Sequence, residues 1–160
     1  MRWVPIGLLS VLVVVTGSMV SGEGRPRRAD LTLTATGADR SGDPMAVACD
    51  LLFASVPSNL FRGQCRATVG PDHVMIGGSA MDAQKLLSVV LNGRLTVRGV
   101  AEEGSGRFAP SVEAMAQGFP LHLHIDPLAR EWAIRADLPE GARTLASGAL
   151  SDGTIVLVMP

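Results

Sequence analysis

The sequence predicts a mainly antiparallel β fold, with about nine short strands and one packed amphipathic helix, arranged as an α+β roll or a flattened barrel or sandwich. Three observations lead there. Apolar and polar residues alternate with a period of two through most of the chain after Asp30. Clusters of Gly, Pro, Asp and Asn separate the alternating runs. Only Ser79–Gly93 carries a clean helical period, with Ala83, Leu86, Leu87, Val90 and Leu91 on one side and Asp82, Gln84, Lys85 and Ser88 on the other. Ser79 has the chemistry of an N-cap, Asp82 completes a capping-box-like start, and Asn92-Gly93 supplies a left-handed stop.

The bulk composition narrows the function classes. The chain has 160 residues, of which 47% are hydrophobic and 18% charged, enough apolar surface to bury one core, so a disordered chain is excluded. A formal net charge of -1 gives no electrostatic reason to expect nucleic acid. With two Trp, four Phe and no Tyr, there is little to build a base-stacking platform or an aromatic sugar cleft from.

Residues Met1–Gly22 run from Arg2 through the apolar stretch Val4–Val15 to the small residues Gly17, Ser18, Ser21 and Gly22, the order of a secretory signal peptide. The expectation is export, to a periplasm or the extracellular space, with this segment removed. The alternative is a membrane anchor over Trp3–Val20, and the chain contacts a membrane only if residues 1–22 are retained. Residues 23–30 form a basic linker containing Arg25, Arg27 and Arg28, and residues 31–160 form a single β-rich domain.

The two cysteines support export. Met45, Val47, Cys49, Leu51 and Phe53 share one face of a strand, and Phe61, Gly63, Cys65, Ala67 and Val69 share one face of the next. A turn about Pro57 sets Cys49 directly opposite Cys65, within reach of a disulfide. Such a bond closes a short loop, contributes about 3 kcal/mol by the chain-entropy account, and belongs to an oxidising compartment.

Around this hairpin the remaining elements follow in order. Leu31–Thr36 alternates with three threonines and reads as an edge strand; Gly37–Pro44 is turn chemistry. Gly70-Pro71-Asp72-His73 is a turn that returns the chain along Val74–Gly78, with Val69 against Val74, and the helix then lies across the shared apolar face. Arg94–Val100 is a strand with a basic polar side, Glu102–Pro110 a loop, and Ser111–Gln117 a short helix. Leu121–Ile125 and Glu131–Leu138 pair around Pro127. Asp152-Gly153 is read as the last hairpin turn, leading into a final strand, Ile155–Met159, that is apolar on both faces and therefore central.

The sharpest chemical pattern is His122-x-His124-x-Asp126, three possible zinc or copper ligands projecting from one strand face. In the expected register Glu131 lies opposite Asp126 as a fourth donor, while Arg135 beside His122 opposes a divalent ion. His73, at a turn, reads as solvent-facing and has no partner near it in sequence. No Gly-x-Ser-x-Gly elbow, Walker loop or dinucleotide fingerprint is present, and Gly104-Ser105-Gly106 reads as loop. Arg94 and Arg98, with Arg62 and Arg66, form outward basic positions able to meet an acidic partner or phospholipid head groups.

These features make the expected function that of a small exported, non-enzymatic β-rich protein binding a partner protein or an apolar small ligand through its sheet or a sheet edge. No cofactor is expected under this reading. The alternative is a metal-binding or metal-dependent enzyme centred on His122, His124 and Asp126, with zinc or copper.

Overall fold

The computed structural model describes residues 28–54, 60–80, 94–109 and 119–158, and within these the chain is almost entirely extended. Eight strands follow one another: β1 (Arg28–Asp39), β2 (Pro44–Ala54), β3 (Leu60–Val69), β4 (Asp72–Ala80), β5 (Leu95–Gly104), β6 (Leu121–Asp126), β7 (Glu131–Leu138) and β8 (Gly141–Val158). Each pairs antiparallel with its neighbour in sequence, and β8 returns to pair with β1, closing a barrel. The mainly antiparallel β class is therefore correct, but among the described residues the strands number eight rather than nine, and they form a closed barrel.

Alternation explains why the barrel closes with an apolar inside. Leu31, Leu33 and Ala35 of β1, Met45, Val47, Cys49 and Leu51 of β2, and Cys65, Ala67 and Val69 of β3 are all buried, and their intervening neighbours face outward. From the other side come Leu95 and Val97, Leu121, Leu123 and Ile125, and Trp132, Ile134 and Ala136. An eight-stranded barrel is just wide enough for such side chains to fill it, and they form one continuous core. A short 3-10 turn, Gly106–Phe108, follows β5 and adds the fully buried Phe108 to that core at one end of the barrel. That end, which also carries the β1–β2 and β3–β4 turns, is called the upper end below.

Several expectations are corrected. The helix over Ser79–Gly93 has no support: Ser79 and Ala80 are extended residues of β4, paired with Arg62 and Phe61, so Ser79 is not a helix cap, and residues 81–93 lie outside the described residues. The surface that helix was to cover is the inside of the barrel. The short helix at Ser111–Gln117, the leader at 1–22 and most of the linker at 23–30 also lie outside them, although the last linker residues, from Arg28, already belong to β1. β1 is no edge, since it pairs with β2 on one side and β8 on the other.

The β3–β4 register places Ala67, not Val69, opposite Val74. This two-residue shift keeps every side chain on its face, so the alternation is satisfied by either register. β5 extends to Gly104 through residues read as a loop. Asp152-Gly153 is not a turn: both residues lie inside β8, opposite Thr36 and Ala35. The turn that joins β7 to β8 is Pro139-Glu140.

β8 is 18 residues long because it serves two neighbours in succession. It pairs with β7 over Gly141–Ala149 and with β1 over Gly148–Val158. Ladder irregularities at Thr36/Gly37 and at Ile134/Arg135 flank the changeover. There Gly148 passes so close to β1 that a Cβ would strike the Ala38 carbonyl, and Gly37 is equally close to the carbonyl of Ala149. Two glycines thus make the seam possible. Trp132 ties it further, its indole Nε1 donating to the Ala38 carbonyl at 3.1 Å.

The Cys49–Cys65 disulfide is formed, across directly opposed residues of β2 and β3 as the sequence predicts. Such a bond fits an oxidising, exported environment. Among the described residues no helix is long and apolar enough to cross a membrane.

Candidate functional site

Outside the barrel, polar side chains gather in two places. The first is the upper end, where Asp39 closes β1 and builds the turn to β2. Its Oδ1 accepts from the amides of Ser41 and Asp43 at 2.8 and 2.9 Å, an Asx-type turn. Arg107, in the 3-10 turn, then binds three carboxylates with three different nitrogens: Asp72 through Nε at 2.8 Å, Asp39 through Nη1 at 2.7 Å and Asp43 through Nη2 at 2.6 Å. Each donor meets an ionised acceptor at short range, the strong class of hydrogen bond. The guanidinium accordingly holds the carboxyls of Asp39 and Asp72 below their usual range, and the carboxylates raise the Arg107 value in return. The result is a clasp that fastens the connection after β5 to the turns before β2 and β4, over the buried ring of Phe108.

Beside the clasp, His73 finds partners far from it in sequence. Its ring Nδ1 lies 2.9 Å from the Ser105 hydroxyl and its Nε2 lies 3.2 Å from Glu103. The same hydroxyl accepts from the His73 amide at 3.1 Å, while the Ser105 amide donates to the His73 carbonyl at 2.8 Å. The Glu103 carboxylate can only accept, so in the neutral ring Nε2 carries the proton and Nδ1 accepts from the Ser105 hydroxyl. A serine, a histidine and a carboxylate are thus in sequence, but the hydroxyl is spent closing the β4–β5 ladder beyond Gly104.

The second gathering is the outer face of β5, β6 and β7, which contains the His122-x-His124-x-Asp126 strand. The expected register is observed: His122 stands opposite Arg135 and Asp126 opposite Glu131. Each of the three is engaged by a different neighbour. His122 Nε2 lies 2.7 Å from Asp137, and His124 Nδ1 lies 2.9 Å from the Thr96 hydroxyl. Asp126 is buried; its Oδ1 accepts from the amides of Leu128 and Ala129, both at 3.0 Å, and its Oδ2 accepts from Arg94 Nε at 2.8 Å. It is the turn-builder at the lower end of the β6–β7 hairpin, as Asp39 is at the upper end, and the Asp-Pro pair was its sequence signal. Burial pushes the His124 imidazole toward its neutral form; the Asp126 charge opposes this and the Arg135 and Arg94 charges add to it. Among the described residues no group of three His, Cys, Asp or Glu side chains is gathered to hold a metal ion.

The outward arginines named from the sequence lie on β3, and just before and within β5. Arg62 and Arg66 sit on β3, opposite Ser79 and Met75 of β4. Arg94 is neutralised by Asp126. Arg98 pairs in register with His122, and His122 with Arg135, so one row across three strands reads Arg98, His122, Arg135. A shallow outer groove of about 330 Å³ also crosses β1, β2 and β3 beside Asp50 and Arg62. No family model, curated protein or solved structure matches this chain.

Proposed function

We propose that this is an exported, non-enzymatic binding protein whose partner is another protein, held on the outside of the barrel. The observation that carries the reading is the packing of the inside. Most of the described inward positions carry apolar side chains, and Trp132, Phe108, Leu33, Ile76, Leu123 and Ile134 are each under 2% exposed. Phe108 lies against them at the upper end, under the Arg107 clasp. An apolar small ligand inside the barrel would have to displace side chains from a close-packed core, at a cost of several kcal/mol. The outer surface has no such obstacle. Export rests on the leader-like Met1–Gly22 and on the disulfide.

The test is the intact mass of the protein recovered from an exporting host, under denaturing and then native conditions. The expected result is a chain lacking Met1–Val15, oxidised by the mass of one disulfide, with no small molecule retained. A stoichiometric apolar compound lost on denaturation would replace the exterior reading with a ligand inside the barrel. A mass that still includes residues 1–15 would contradict export by cleavage.

A further inference from the structure

Resting on that exterior reading, we infer that the docking face is the outside of β5–β6–β7, and that the partner presents an extended acidic segment to the row Arg98, His122, Arg135. Both arginines are exposed, and among the described residues neither has a carboxylate within ion-pair reach. Two arginines toward the ends of the barrel differ from these: Arg94 and Arg107 are each held by aspartate at 2.8 Å or less.

The free pair is also well placed to act together. Arg98 and Arg135 lie two strand spacings apart, about 10 Å, with the shorter His122 side chain between them. Two long guanidinium side chains separated by that distance can converge on a single carboxylate held above the imidazole, each offering a planar fork of donors. Asp137 beside the row is bonded to His122, and among the described residues it forms no ion pair with either arginine. The next row down, Thr96, His124 and Ala133, carries no competing charge, because burial favours the neutral imidazole.

The chemistry selects a protein segment over the other anionic partners. An extended chain repeats its side chains on one side about every 6.5 Å, so one glutamate or aspartate can enter the row while the residues on either side of it lie along the uncharged neighbouring positions. Val100, 44% exposed on the same face of β5 as Arg98, adds an apolar contact at the rim. A lipid surface would need more cationic side chains and an apolar wedge than this face offers. Duplex nucleic acid would meet a chain of net charge -1.

The experiment uses the disulfide-bonded protein and a fluorescein-labelled peptide of alternating Glu and Val, read by fluorescence anisotropy at low salt. A Gln/Val peptide and anionic phosphatidylglycerol vesicles are run beside it. The Glu peptide should bind, the Gln peptide should not, and the double variant Arg98→Ala, Arg135→Ala should bind about tenfold more weakly, as expected for two exposed charge contacts. The double variant Arg62→Ala, Arg66→Ala removes the same charge from β3 and should stay within about twofold of the parent, a change too small to mark a docking face. Equal losses in the two double variants, no binding of the Glu peptide, or binding of vesicles alone would overturn the assignment. None of those outcomes bears on whether the barrel carries a small molecule, the separate result that would place the ligand inside.

Discussion

The upper end of the barrel and the face of β5–β7 carry the same kinds of residue and use them in opposite ways. At the upper end one arginine satisfies three aspartates, one of which also builds a turn. On the β5–β7 face two arginines point outward with no carboxylate in ion-pair reach among the described residues, and Asp137 is bonded to a histidine. Charge that is saturated internally contributes to holding the chain together; charge left open contributes little to the fold and is available to a partner. The comparison teaches that counting basic residues on a surface is a poor guide to a binding site until their partners are known.

The largest effect should come from removing what the clasp covers. Phe108→Ala deletes a fully buried ring and is expected to cost about 3–5 kcal/mol in urea unfolding, whereas Val100→Ala on the open face should stay within about 0.5 kcal/mol. Similar losses for the two would erase the distinction between the regions. Reducing the Cys49–Cys65 bond, whose partners are 16 residues apart in sequence, should lower stability by about 3 kcal/mol, with no effect on acidic-peptide binding because β2 and β3 lie outside the docking row.

Next in size is the clasp itself. Arg107→Ala should lower the melting temperature by several degrees at neutral pH, with a pH signature that identifies the cause. The folded protein holds the carboxyls of Asp39 and Asp72 below their ordinary range, so their ionised forms favour folding. That contribution is whole above about pH 4, where the unfolded chain is also ionised, and is lost as pH falls through the lower folded-state values. Melting curves between neutral pH and strong acid should therefore converge for the parent and the Arg107 variant at the acid end. A constant gap across the range would show that the clasp acts through packing of the arginine stem instead. The smallest effect on stability belongs to the double variant His122→Ser, His124→Ser, whose melting temperature should not respond to zinc or to a chelator. A zinc-dependent rise in the parent that the variant loses would promote the metal reading.

Much of the fold was legible in the sequence where the signal is local. Cys49 against Cys65 and His122 against Arg135 follow from alternation and hairpin length, because a one-residue slip would turn a buried face outward. A slip of two residues leaves the faces unchanged, which is why the β3–β4 register could not be fixed in the same way. The closure of the barrel was not legible. It depends on β8 meeting β1 across most of the chain, and no local pattern records that pairing. Asp152-Gly153 shows the conflict directly: a strong two-residue turn signal is overridden by pairing of both residues with β1, and Asp152 satisfies the Gly153 amide with its own carboxylate at 2.8 Å.

The candidate site divides along the same line. The row Arg98, His122, Arg135 can be read from register, since its members are cross-strand neighbours in successive strands. What the sequence could not give is which arginines are already engaged. The Arg107 clasp joins residues 35 to 68 apart in sequence, and Asp126 is withdrawn from the two histidines by a turn that takes its Oδ1 and by Arg94, which takes its Oδ2.

The most direct test of the division between holding and binding is a matched pair of variants, Arg107→Ala and the double Arg98→Ala, Arg135→Ala, each carried through urea unfolding and titration with the alternating Glu/Val peptide. The first should lose stability and keep the parent's affinity, and the second should keep its stability to within about 0.5 kcal/mol and lose about tenfold in affinity. If Arg107→Ala weakens peptide binding as much as the double variant does, or if the double variant unfolds as early as Arg107→Ala, the two regions do not divide the work in this way.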